Sequence, residues 1–195
     1  MNIKKIVALL LVVIAMVSCE AARNVAGAYN MVNCKYDYQS ISDLSISGIN
    51  FSNKSGLSAN SVAKLTSILS GKSTSIPVNF TLNLNVKNPN NSDAFLNGLQ
   101  YIISVDDVKL TTGSVDQALK IASGQTRNLP ITIGLDLAPL MTSSTKETMI
   151  NVAKNLAGID SKKSNISVQL KPSFLIGNTS VASPVYIPVN FSIGG

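Results

Sequence analysis

The chain of 195 residues is 45% hydrophobic and 13% charged, a balance that excludes intrinsic disorder, which needs low hydrophobicity and high charge. Its length after loss of an export signal suffices for one domain with a real core and is short for two. The formal charge of +6 falls to +4 once Lys4 and Lys5 are assigned to that signal, which lowers the basic count from 16 to 14 against 10 acidic residues, and with no Arg cluster or aromatic interleaving this favours a solvated basic surface over an anionic-partner patch and gives no nucleic-acid partner.

Residues Met1 to Cys19 open with Lys4-Lys5, continue through twelve apolar residues from Ile6 to Val17, and end in Ser18-Cys19. That apolar run is too short for a bilayer core, which takes about 20 residues, and it has the build of an export signal. Its tail, Met16-Val17-Ser18-Cys19, resembles the bacterial lipobox, in which the cysteine is acylated and becomes the new N-terminus. The competing reading is a plain secreted protein with Cys19 near the cleavage point by chance. On the lipoprotein reading residues 1–18 are a signal peptide and Cys19 is a lipid anchor, since several acyl chains on one cysteine hold a soluble domain stably.

By resemblance to sorting rules in Gram-negative bacteria, Glu20 after the cysteine favours the outer membrane. Glu20-Ala21-Ala22-Arg23 lacks the acidic run of surface-exposed lipoproteins of the Bacteroidetes, which favours the periplasmic face. Residues 19–35, rich in Ala, Asn and Gly, form a lipidated tether on this reading, and residues 36–195 a single domain. Cys34 is then the remaining free thiol, either a small buried hydrophobe or a bridge to another chain. The sequence has no His, which removes Ser-His-Asp and Cys-His nucleophiles and leaves no His or Cys set for zinc.

From Lys35 the pattern turns extended. Tyr36, Tyr38, Leu44, Ile46, Ile49 and Phe51 alternate in short runs broken at Ser42-Asp43 and Gly48, which predicts a first strand with a bulge or a shift of face. Val62, Leu65, Ile68 and Leu69 recur at helical spacing, with Ser58 or Asn60 as N-cap and Gly71 as stop. Ile76, Val78, Phe80, Leu82, Leu84 and Val86 alternate strictly up to Asn88-Pro89-Asn90, a strand ended by turn residues.

Ala94 to Val105 is the next strand and ends at Asp106-Asp107. Val108 to Val115 and Ala118 to Ala122 are shorter strands. Leu129, Ile131, Ile133, Leu135 and Leu137 line the inner face of another, with Pro130 near its start, where a strand tolerates proline. Met149, Val152, Ala153 and Leu156 form a helical stripe closed by Gly158. Ile166, Val168 and Leu170 restart a strand that meets Pro172, and Val185 to Ile193 supplies the last.

Ile76-Pro77-Val78-Asn79-Phe80 returns as Ile187-Pro188-Val189-Asn190-Phe191. Duplication is one origin; convergence of two strands with the same burial pattern is the other, and no longer period accompanies the match. About seven alternating strands separated by turn residues predict an all-β antiparallel sandwich with two short helical insertions.

The run from Leu82 to Gly113 resembles the LEA-2 group of late-embryogenesis-abundant proteins, also called the water-stress and hypersensitive-response (WHy) domain. The shared pattern is an alternating strand, Asn88-Pro89-Asn90, an apolar residue before Gly98, a second strand, and Gly113 near the end of the next. Asp106-Asp107 stands where the family often has a Gly turn. The resemblance implies an immunoglobulin-like or fibronectin-like sandwich, with Asn88, Pro89, Asn90, Gly98 and Gly113 as a structural motif and no catalytic residues; no cofactor and no metal are expected. Three functions follow as expectations. One is a non-enzymatic envelope lipoprotein that binds, supports or protects another envelope component under stress. The second is a module that adds strands edge to edge. The third uses Asp106, Asp107 and Asp116 as an acid and base pair or as calcium ligands.

Overall fold

The computed structural model describes residues 25–51, 59–70, 73–159, 162–176 and 179–194. The strict alternation before Asn88 becomes β3 (Pro77–Lys87), with Val78, Phe80, Leu82, Leu84 and Val86 buried and their neighbours turned outward. Burying each such side chain contributes about 2 kcal/mol of transfer free energy. β3 pairs antiparallel with β1 (Lys35–Ile46) on one side and β8 (Thr126–Asp136) on the other. β2 (Ile49–Asn50) folds back on β1 through Ser47-Gly48, both at positive φ, to give the order β2-β1-β3-β8. The register of β1 shifts after Tyr38 and again after Ser42, where Asp43 has φ 53, so the predicted bulge is there.

The second sheet contains β5 (Gly98–Val105), β6 (Val108–Val115), β9 (Ser164–Ile176) and β10 (Thr179–Ala182) in the order β10-β9-β5-β6. β11 (Ile187–Ile193) also pairs with β9, taking Ser164 to Leu170, while β10 takes Ser173 to Ile176. A ribbon of β4 (Ala94–Leu96) and β7 (Leu119–Ile121) lies at one end. The inner faces of the two sheets share one core, with Leu82, Leu84, Ile131 and Ile133 from the first sheet and Leu99, Ile103, Val168 and Leu170 from the second. Among the described residues this is an antiparallel β-sandwich of seven long strands and four short ones.

Three strands differ from the sequence reading. The first ends at Ile46, and Ile49 and Phe51, read as its continuation, lie beyond the Ser47-Gly48 turn, with Ile49 in β2. Ala94 to Val105 is split at Asn97, whose N–H leaves the ladder to donate to Ser173 O. β9 does not stop at Pro172 but runs through it. Pro172 O accepts from Ser183 N on the outer side of β9, and in an antiparallel strand a residue's N and O point to the same side. The missing N–H therefore falls between β11 and β10 and costs no bond to β5.

α2 (Ala59–Ser70) follows β2 and buries Leu65 and Leu69. Asn60 lies within that helix and is not its N-cap; Ser58 and Gly71 lie outside the described residues. α3 (Lys146–Leu156) connects the sheets, buries Met149, Val152 and Ala153, and packs on β1 and β9. It ends as the Met149 to Leu156 stripe predicts, with Gly158 at φ 71, Gly158 N donating to Asn155 O and Ile159 N to Lys154 O.

The stretch expected to be a tether is partly docked. Residues 25–32 form a helix, α1, with Ala28 and Met31 buried beneath it, and Cys34 is buried just beyond its end. The Phe95 ring sits where a side chain at Gly27 would stand. Small residues at 27 and 28 give no helical hydrophobic stripe, which is why the helix escapes a periodicity search.

Candidate functional site

The Asn88-Pro89-Asn90 turn lies at the end of β3. Asn88 is fully buried, and all of its polar atoms are used. Its N–H donates to Gln125 O and its carbonyl accepts from Gly124 N, both at 2.9 Å. Its Nδ2 donates to Ser92 O and to Ile121 O, each 2.9 Å away. Its Oδ1 accepts from Asn90 N at 3.0 Å and from Asn90 Nδ2 at 2.7 Å. Two donors and an acceptor on one short side chain are what an amide offers and a carboxylate does not. Pro89 between them is exposed and has no N–H to leave unpaired.

Asn90 extends the network outward. Its Nδ2 also donates to Asn30 O at 3.0 Å, and its carbonyl accepts from Ser123 Oγ at 2.7 Å. Asn30, in α1, donates through Nδ2 to Ser92 Oγ at 2.7 Å and to Asp93 O at 2.9 Å. Asn30, Asn88 and Asn90 thus clamp α1, the β3–β4 loop and the β7–β8 turn together. Asn30 and Ser92 carry no signal in the sequence, because their roles depend on partners about 60 residues away along the chain.

Gly98 opens β5 in a buried position, where a Cβ would come within 2.9 Å of Ser173 Oγ and 3.3 Å of Val115 O. Gly113 stands opposite Tyr101 in the β5–β6 ladder, and a Cβ there would lie 2.4 Å from the Tyr101 hydroxyl. The tyrosine ring covers the glycine, a pairing that fills the space a missing side chain leaves in a strand.

Asp106 and Asp107 form the two-residue turn between β5 and β6, with φ of 46 and 67. Both central residues are left-handed, the geometry of a type I′ hairpin turn, which Asp tolerates better than most residues. Asp106 also anchors the start of β9: its N–H donates to Asn165 O at 3.0 Å and its Oδ1 accepts from Asn165 N at 2.9 Å. Asp116 is at the other end of the hairpin, beside Gly98, which over an eight-residue strand is about 26 Å away at ~3.3 Å per residue. The three acids are not brought together. Among the described residues no three His, Cys, Asp or Glu side chains are grouped to hold a metal.

Cys34 donates through Sγ to Asn30 O at 3.3 Å, and burial pushes its thiol up to about 11. It is the buried small residue of the two readings above. Cys19 lies outside the described residues. No described helix is long and apolar enough to cross a membrane. Between the sheets, Phe80, Ile103, Val105, Val168 and Phe191 help to line an apolar void of about 20 Å³, room for about one water.

A family described as Late embryogenesis abundant protein (LEA_2) matches residues 83–185. No curated protein matches the chain. Among solved structures the chain is similar to a protein from Archaeoglobus fulgidus, with 14% identity, 82% of this chain and 98% of that one covered, and a TM-score of 0.38. It is also similar to AT1g01470 from Arabidopsis thaliana, with 9% identity, 60% and 70% covered, and a TM-score of 0.42. The fold argument rests on the strands themselves. The family match spans more than half of the chain and encloses Asn88, Pro89, Asn90, Gly98 and Gly113: the chain belongs to the Late embryogenesis abundant protein family LEA_2.

Proposed function

We propose that the protein is a non-catalytic lipoprotein of a bacterial envelope, anchored through acylated Cys19, whose LEA_2 sandwich binds, supports or protects another envelope component under water stress. The observation that carries this reading is the use of the motif's polar atoms: every polar atom of the Asn88 side chain holds loops together. The motif is a clamp with no reactive group in it. Family membership supports a stress-related domain without catalytic chemistry. The basic start, short apolar run and cysteine of residues 1–19 support the anchor, and Glu20 supports the outer membrane with the domain facing the periplasm.

Fractionation of cells carrying Cys19→Ala tests the anchor: the variant leaves the membrane fraction, and its retention there would overturn the assignment. Crosslinking in intact cells followed by mass spectrometry then tests for an envelope protein partner, and survival of drying by a deletion strain tests the stress role.

A second reading, an edge-to-edge interaction module, is favoured by β8. It pairs with β3 over eleven consecutive positions, and on its other side it has no partner strand among the described residues. Such an edge presents unpaired backbone groups to an incoming strand. Sedimentation that finds only monomer at every concentration, together with no crosslinked partner, removes this reading.

A further inference from the structure

We propose that the end of the sandwich carrying α1 lies against an anionic phospholipid surface, with Val25 and Tyr29 in the headgroup region and Lys35 and Lys87 over the phosphates. This rests on the Cys19 anchor proposed above. It adds an orientation that the anchor alone does not give.

Chain length confines that end to the membrane. Five residues lie between Cys19 and Val25, the first described residue, and the six Cα-to-Cα steps so joined reach at most about 22 Å. α1 is fixed to the sandwich by Asn30, which bonds to Ser92, Asp93 and Asn90. The tether therefore delivers the clamp end of the domain to the lipid, and the Asp106-Asp107 end points away.

The surface there suits lipid in two independent ways. Val25 is 51% exposed and Tyr29 69%, one helical turn apart and so on one face of α1. Tyrosine, with an apolar ring and a polar tip, favours membrane–water interfaces. Lys35 and Lys87 stand directly opposite each other at the ends of β1 and β3, both exposed. Like charges so placed repel, and neither has an ion-pair partner among the described residues. Arg127 is also exposed at this end of β8, but it pairs with Val86 and so stands on the other face of the sheet from Lys35 and Lys87. Of the nearby acids, Asp93 is paired with Lys120 at 2.7 Å, and Asp37 lies two residues along β1. Two neighbouring lysines without an ion-pair partner among the described residues, within reach of an acylated cysteine, match an anionic headgroup layer, where each lysine shifts the docked-to-undocked ratio about fivefold.

The chain contains no Trp, so one introduced indole reports alone. Full-length acylated protein carrying Tyr29→Trp is reconstituted into vesicles of phosphatidylcholine and phosphatidylglycerol with brominated acyl chains. Lys109→Trp, at the far end of β6, is the control. The expected result is strong quenching and a blue shift for Tyr29→Trp and neither for Lys109→Trp. Adding Lys35→Gln and Lys87→Gln lowers the docked-to-undocked ratio about 25-fold and removes the quenching, while the protein still floats with the vesicles. Flotation with equal, weak quenching at both positions overturns the orientation and leaves the anchor standing. Quenching that is unchanged in pure phosphatidylcholine overturns the anionic part. Failure to float overturns both the anchor and the orientation.

Discussion

Asn88 Nδ2 donates to the carbonyl of Ile121, 2.9 Å away and 33 residues on, and so joins the end of β3 to β7 through a side chain with no exposed surface. The same nitrogen holds Ser92 O. Asn88→Ala leaves both carbonyls and the Asn90 donors short of partners, at about 1–3 kcal/mol for each buried group left unsatisfied. A urea melt is expected to show a loss of about 3 kcal/mol. Asn88→Asp places an acceptor against two carbonyls and destabilises at least as much.

Gly113 and Tyr101 are predicted to be coupled. A Cβ at 113 meets the tyrosine hydroxyl at 2.4 Å and its Cζ at 2.6 Å, so Gly113→Ala forces the ring aside at about 1–3 kcal/mol. Tyr101→Leu removes the colliding atoms. The double-mutant cycle should return a favourable coupling above about 0.5 kcal/mol; additivity would show that the ring does not depend on the glycine.

At the β5–β6 turn the expected effect has the opposite sign. Asp107 holds φ 67, a left-handed conformation that costs an ordinary residue roughly 1–2 kcal/mol and glycine almost nothing. Asp107→Gly should raise the melting midpoint. Asp106→Gly should not, because it also loses the carboxylate that receives Asn165 N.

Stability should fall at both ends of the pH scale. Asp136 accepts from Ser75 Oγ, Ile76 N and Ala138 N, and these bonds hold its carboxyl below the usual range. Its contribution is present above the unfolded value near 3.9 and is lost as pH falls through the lower folded value. Cys34 is raised from 9.0 to about 11 by burial. The unfolded chain loses that proton first, so stability declines as pH rises from about 9 towards 11. Midpoints for Asp136→Asn and Cys34→Ala across pH check the two arms separately: the acid arm should flatten in the first, and in the second the alkaline decline should begin later, keeping the part owed to Tyr36, Tyr38 and Tyr101, whose hydroxyls burial also raises.

Legibility in the sequence followed the range of the physics. β3, β8 and the α3 stripe were readable because burial on one face imposes a local period, and the buried residues of β3 are those the alternation picks out. α1 was not, because its docking relies on Gly27 under the Phe95 ring and on Asn30 bonded to Ser92. Pro172 misleads in the same way. Proline ends a strand only where its N–H is needed, and the changeover from β11 to β10 that frees it there is a tertiary fact. The Asn-Pro-Asn turn was visible as a turn, but its function as a clamp needed Ile121 and Asn30, far away in the chain.

The clamp also sets how the domain bears force. Tension applied at residue 25 reaches the Asn30 bonds to Ser92 and Asn90 before it reaches β1. If those yield, the pull runs along β1, whose ladder to β3 extends from Lys35 to Ile46 and is loaded in shear, many bonds at once. A pull along β1 against a load at the far end of the sandwich therefore meets the whole ladder together and does not unzip it bond by bond.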